Sequence, residues 1–158
     1  MSKIKSRTAL AKIIAGLKKK GKTVAFANGC FDILHVGHIR FLRAAKAKAD
    51  YLVLGLNSDS SVRRLKGNGR PLVNQRERAE IMDAFDFIDY IVIFNELTVD
   101  KTLQTLLPTY HCKGTDYTAD TVPEREMAKK FGIKIAIVGD PKDHSTKDII
   151  RTIIEKHK

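Results

Sequence analysis

Two histidines three residues apart, His35 and His38, flank a glycine in the run Asn28-Gly-Cys-Phe-Asp-Ile-Leu-His-Val-Gly-His38. The apolar stretch 23–27 before them predicts a buried parallel strand. The stretch 39–48 after them, rich in Ala, Leu, Lys and Arg, predicts a helix. Both imidazoles are then delivered at a strand-to-helix turn, on the first turn of the helix. Free backbone N–H groups and the helix dipole already favour anions there. Gly37 leaves the backbone open to a phosphate. Two donors around an anion pocket suit nucleotide transfer.

Other polar groups follow other apolar runs. After the run 51–56 comes Asn57-Ser58-Asp59, and a helix later Arg64-Leu65-Lys66-Gly67. After 109–113 comes Lys113-Gly114-Thr115-Asp116-Tyr117, and after 133–138 a loop that leads to His144-Ser145-Thr146-Lys147-Asp148. Ser145 or Thr146 is positioned to cap the last helix, whose opening turn is a second seat for phosphate. Each of these residues also has a plainer reading. Asp32 is suited to ordering its turn through backbone N–H groups, and Asn57 and Asp59 to a turn and helix cap. Lys66 reads equally as a solvated lysine. Arg76 and Arg78, after Asn74, read as a solvated helix face, and His111, His144 and His157 as ordinary surface or core residues.

The elements that must position these groups alternate. Strands are expected at 22–27, 51–56, 90–94, 109–113 and 133–138, and helices at 8–20, 38–48, 59–65, 75–86, 98–106, 122–131 and 145–156. The first helix carries Leu10, Ile13, Ile14 and Leu17 on one face, and Gly21 closes it. Strands alternating with crossover helices predict a parallel α/β sheet with right-handed connections, which binds ligands at the carboxyl ends of its strands. No repeat or long linker divides the sequence, so one domain over residues 1–158 is expected, with residues 1–20 an appended N-terminal helix.

Composition narrows the class. With 43% hydrophobic and 30% charged residues the chain is globular rather than disordered. No apolar run approaches the roughly 20 residues of a membrane span, and residues 1–10 lack the apolar core of an export signal. A cytoplasmic protein with no membrane partner is expected. Cys30 and Cys112 make neither a disulfide framework nor a metal cluster and read as small apolar residues near strand ends. The net charge of +11 fits either a nucleic-acid binder or an enzyme that handles polyphosphates. The histidine turn favours the enzyme, with no nucleic-acid partner.

The run 28–38 resembles the HxGH core of the cytidylyltransferase-like nucleotidyltransferases. Leu56-Asn-Ser-Asp59, Arg64-Leu-Lys-Gly67, Arg70-Pro71, Lys113-Gly-x-Asp-Tyr117 and Ser145-Thr146 together resemble the heptose 1-phosphate adenylyltransferase branch most closely. The resemblance implies a Rossmann-like domain with a five-stranded parallel sheet flanked by helices. It also implies transfer of AMP from ATP to a sugar 1-phosphate, with Mg²⁺ carried mainly by the phosphates, in a homo-oligomer. His35, His38 and Lys66 would then be catalytic. The nucleotide would be bound by Asn28, Gly29, Cys30, Phe31, Gly37, His38, Asn57, Asp59, Lys66, Lys113, Gly114, Asp116, Tyr117, Val138, Ser145 and Thr146. Asp32, Arg70 and Arg76 would face the sugar phosphate. Two alternatives stay open: a CTP-dependent glycerol 3-phosphate or phospho-alcohol cytidylyltransferase, and a non-catalytic nucleotide- or nucleic-acid-binding module. Relatives of the first kind carry Arg-x-x-Gly-x-Ser-Thr before the last helix. Here Gly139-Asp-Pro-Lys-Asp-His-Ser-Thr146 lacks the matching arginine and glycine.

Overall fold

A strand covered by helices on both faces is apolar at consecutive positions rather than alternate ones. Val24-Ala-Phe-Ala27 and Leu52-Val-Leu are of that kind, and all seven residues are fully buried. In the computed structural model, which describes residues 2–158, these runs form β1 (Val24–Gly29) and β2 (Tyr51–Asn57). They pair with β3 (Tyr90–Phe94), β4 (Tyr110–Lys113) and β5 (Lys134–Ile137) in one five-stranded sheet, parallel at every pairing.

The strand order is β3-β2-β1-β4-β5. The chain builds outward from β1 through β2 to β3 and then returns to the far side of β1 with β4. That reversal opens a crevice at the carboxyl ends of β1 and β4, where open parallel sheets hold their ligands. Seven helices connect the strands among the described residues: α1 (Arg7–Lys19), α2 (Val36–Lys46), α3 (Asp59–Lys66), α4 (Gln75–Asp83), α5 (Asp100–Leu106), α6 (Arg125–Lys130) and α7 (Thr146–Lys156). One core includes Leu42 of α2 and Met82 of α4 with Ala25, Leu54 and Ile91 of the sheet. The opposite core joins Leu10 and Ile14 of α1, Leu103 of α5 and Ala128 of α6 to Phe26, Val53 and Val92. No helix among the described residues is long and apolar enough to cross a membrane.

Several element boundaries differ from those expected, two of them at the crevice. β1 extends through Asn28 and Gly29, because its register with β2 continues to Gly29↔Leu56. These two residues therefore belong to the strand rather than to the turn after it. α2 begins at Val36, two residues before the expected start, with His35 as its N-cap. α4 stops at Asp83, and α6 covers only Arg125–Lys130 of the expected 122–131.

Candidate active site

The carboxyl ends of β1, β4 and β5 and the starts of α2 and α7 enclose a pocket of about 640 Å³, a size suited to a small-molecule ligand. His35 and His38 stand on its floor with rings stacked, centroids 3.8 Å apart and 24° from coplanar. The β1–α2 turn explains how they meet. Phe31 takes a positive φ of 47°, a conformation that is uncommon for a bulky residue, and its ring packs edge-on against His38 with centroids 5.2 Å apart. The chain then enters α2, and the backbone N–H of His35 donates to His38 Nδ1 at 3.3 Å. A Cβ at position 37 would lie 2.9 Å from His35 Nδ1. Glycine is required there to make room for an imidazole folded over the helix start.

That hydrogen bond also sets a tautomer. With Nδ1 accepting, the proton of neutral His38 resides on Nε2, leaving a donor for a ligand. Burial, then the adjacent His35 ring and the Lys142 ammonium, hold His38 down at about 4. Burial, followed by His144 and Lys142, also lowers His35. Both rings are therefore neutral N–H donors near pH 7. Asn28 Oδ1 and His35 Nδ1 are buried without a protein partner, as expected of polar groups held for a ligand.

Beside the histidines the inner wall is tightly bonded. The Asp32 carboxylate is buried and accepts from Arg70 Nε at 2.7 Å, from Leu72 N–H at 2.8 Å and from Val73 N–H at 2.8 Å. Burial works to raise this carboxyl, and the Val73 and Leu72 amides with Arg70 outweigh it and keep it below the usual range. Asp32 thus orders the 70–73 segment, and Arg70 reaches the pocket from a side chain already paired.

Most of the expected residues come together here. Asn28, Gly29, Cys30, Phe31, Gly37, Lys66, Lys113, Gly114, Asp116, Tyr117, Val138, Ser145 and Thr146 all line the pocket with the histidines, Asp32 and Arg70. Lys66 ends α3 on the exposed side, where Gly67 breaks the helix at φ 92°. Lys113 Nζ lies over the Tyr117 ring, 4.5 Å from its centroid. Ser145 caps α7, its Oγ accepting from Asp148 N–H at 3.1 Å. Thr146 Oγ1 donates to the Ile33 carbonyl at 3.1 Å, pinning the start of α7 to the histidine turn.

Three expected residues do not reach the pocket. Asn57 is buried, with its Nδ2 donating to Ser61 Oγ at 2.9 Å and its carbonyl accepting from Arg78. Asp59 opens α3 and is paired with Arg78 at 2.9 Å. Arg76 is exposed on α4. The solvated face expected for Arg78 is also corrected: its side chain is 0% exposed. It donates to the carbonyls of Val73 (2.8 Å), Cys30 (2.6 Å) and Asn57 (2.8 Å) and to the Asp59 carboxylate. One guanidinium fork thereby joins the histidine turn, the end of β2, the start of α3 and the segment held by Asp32. Spacing held the clue, because Arg78 shares the inward face of α4 with the buried Met82 four residues on.

His111 is the ordinary core residue it reads as, whereas His144 departs from its plain reading. His111 is buried in β4 with its Nε2 3.2 Å from Glu124 Oε2, so the N-cap residue of α6 is anchored beneath the 113–117 loop. His144 lines the pocket, its ring centroid 6.2 Å from that of His35. Among the described residues no group of three or more His, Cys, Asp or Glu side chains could hold a metal ion.

The chain has counterparts among known proteins. The bifunctional protein HldE of Geobacter sulfurreducens is 48% identical over 156 residues, 99% of this chain and 32% of that protein. The HldE protein of Mesorhizobium japonicum is 48% identical over 128 residues, 81% of this chain and 26% of that protein. The chain thus spans about a third or less of the length of these curated relatives. A lipopolysaccharide core biosynthesis protein from Thermoplasma volcanium GSS1 shares the fold with a TM-score of 0.64 and 27% identity, over 77% of this chain and all of that one. The cytidylyltransferase-like family profile matches residues 26–156, from within β1 to the end of α7, and the chain belongs to that family.

Proposed function

We propose that this chain joins the AMP moiety of ATP to a sugar 1-phosphate, D-glycero-D-manno-heptose 1-phosphate, giving ADP-heptose and pyrophosphate. The observation that carries this reading is the stacked pair of neutral imidazoles at the switch point of the sheet, facing a pocket rimmed by Lys66, Lys113 and the start of α7. The likeness to HldE over 99% of the chain supports the choice of donor and acceptor.

In this reaction a phosphate oxygen of the sugar 1-phosphate attacks the α-phosphorus of ATP in line. An O–P bond forms as the bond to the bridging oxygen breaks, and pyrophosphate leaves with that oxygen. The nucleophile is already an anion, so no side chain needs to remove a proton. Catalysis rests on position and on donors aimed at the developing charge. His38 Nε2–H donates to the α-phosphate oxygens, and His35 stacked beside it holds a second imidazole against them. Lys66 and the first turn of α7 take the β- and γ-phosphates, Asn28 and Asp116 meet the nucleoside, and Arg70 meets the sugar phosphate. Asp32 acts through Arg70 and the 70–73 backbone. Mg²⁺ keeps much of its water and favours phosphate oxygens, so it would be held by the triphosphate rather than by side chains and would supply positive charge against the leaving pyrophosphate.

The same reading takes residues 1–158 as a single nucleotidyltransferase domain working in the cytoplasm as a homo-oligomer. Packing of α1 into the core beneath β1 supports its place in that domain. A panel of donors against acceptors, scored by pyrophosphate release, tests the assignment. ATP with heptose 1-phosphate is expected to rank first. CTP with glycerol 3-phosphate ranking first would move the chain to the cytidylyltransferase branch, and no release from any pair would leave a binding module.

A further inference from the structure

Two exposed loops form the outer side of the pocket, and one ion pair joins them. Lys142 Nζ lies 3.1 Å from Asp116 Oδ2, with the two side chains 60% and 41% exposed. Next to it, Thr115 Oγ1 donates to the Asp140 carbonyl at 2.7 Å. The Asp140 carboxylate in turn pairs with Arg40 of α2 at 3.2 Å. The base of the second loop is therefore tied down, while Lys142, two residues on, lines the pocket with His35 and His38. Its ammonium is near enough to contribute, after burial and a neighbouring imidazole, to the lowering of both rings. Gly114 shapes the partner side, since a Cβ there would come within 3.0 Å of Asp116 Oδ1. Glycine lets that carboxylate fold back over its own loop.

The strengths of the competing contacts decide what this pair does. An exposed ion pair contributes about 0–1 kcal/mol. A polyphosphate offers the ammonium several formal negative charges and stronger charge-assisted hydrogen bonds. A carboxylate that has lost its cation is a good acceptor for vicinal hydroxyls.

We infer that Lys142 and Asp116 form an exchange latch: the polyphosphate tail of a nucleotide takes Lys142, and the freed Asp116 carboxylate accepts from the ribose hydroxyls. The inference rests on the nucleotidyl-transfer reading above. The two ends of one nucleotide are then coupled, and by linkage the coupling is reciprocal.

Calorimetric titration with tripolyphosphate and with adenosine, as separate probes, tests the latch, and both positions are exposed enough for substitution to spare the fold. In the unsubstituted protein, saturating tripolyphosphate is expected to tighten adenosine binding about fivefold, the equivalent of an ion pair of about 1 kcal/mol. Lys142→Met should weaken tripolyphosphate, tighten adenosine and abolish the coupling. Asp116→Asn should do the reverse, tightening tripolyphosphate and weakening adenosine. Equal tripolyphosphate affinity in the Lys142→Met protein, or no gain in the Asp116→Asn protein, would overturn the latch while leaving nucleotidyl transfer intact. Crossed effects of the expected sign in a protein that releases no pyrophosphate would uphold the latch and remove the transfer reading. Binding of neither probe would remove both.

Discussion

The inner wall of the pocket, made by the β1–α2 turn, the 70–73 segment and α4, differs in kind from the outer wall made by Lys66 and the 113–117 and 139–147 loops. On the inner wall Arg78 is fully buried and makes four hydrogen bonds, and the Asp32 carboxylate accepts from three donors. On the outer wall the charged ties are single exposed pairs, Lys142 with Asp116 and Arg40 with Asp140. Breaking a buried charged set costs about 3–5 kcal/mol, whereas an exposed pair contributes about 0–1 kcal/mol. A wall of the first kind holds atoms in one geometry. A wall of the second kind re-forms around what binds. Under the proposed function, the difference implies a division of labour in which the inner wall fixes the reaction and the outer wall sets affinity.

If that division is correct, substitutions on the two walls separate in what they change. The largest effect falls on the histidines. His38→Ala and His35→Ala should each lower kcat by about 10²–10³, the cost of removing one donor to a developing oxyanion. ATP affinity should change far less, which single-turnover kinetics beside equilibrium binding would measure. A loss confined to ATP affinity would place the histidines in the affinity wall and break the comparison. Next comes Arg78→Met, which leaves three carbonyls and the Asp59 carboxylate without their donor. A loss of roughly 3 kcal/mol in unfolding free energy is expected from denaturant titration. The smallest effect belongs to the outer wall, where Lys66→Ala should raise KM for ATP roughly tenfold with little change in kcat, the signature of lost uniform binding. A fall in kcat as large as that of the histidine variants would move Lys66 into the reacting centre.

Much of this was legible in the residues. The consecutive apolar runs predicted a parallel sheet, and the polar groups following them predicted where the pocket opens. What stayed hidden depended on contacts distant in sequence. Asp32 finds its donors at Arg70, Leu72 and Val73, about forty residues away, so its reading as a turn-ordering group had the right chemistry with partners that local patterns do not reveal. Arg78 looked like a solvated residue because arginine is seldom buried, and only the carbonyls that converge on it in three dimensions make burial tolerable. The positive charge also proved uneven. Lys18, Lys19, Lys20 and Lys22 precede β1 and Lys129, Lys130 and Lys134 lead into β5, at the amino end of the parallel sheet and so opposite the pocket. The net charge of +11 therefore says less about the substrate than the few cations at the site.

The claim that the inner wall supplies neutral imidazole donors is tested most directly by the pH dependence of kcat/KM, which reports the ionisation of the free enzyme. Burial holds His38 at about 4, below the ordinary 6.5, so the ring gains its proton only as pH falls towards 4 and remains a neutral Nε2–H donor above that. Once the ionisations of the ATP and sugar phosphates, at about 6, are titrated separately and divided out, the enzyme's own contribution is expected to be flat from pH 8 to pH 6 and to decline only on approach to 4. A decline centred near 6.5, absent from the His38→Ala protein, would show a ring that titrates as if exposed and would contradict the assignment.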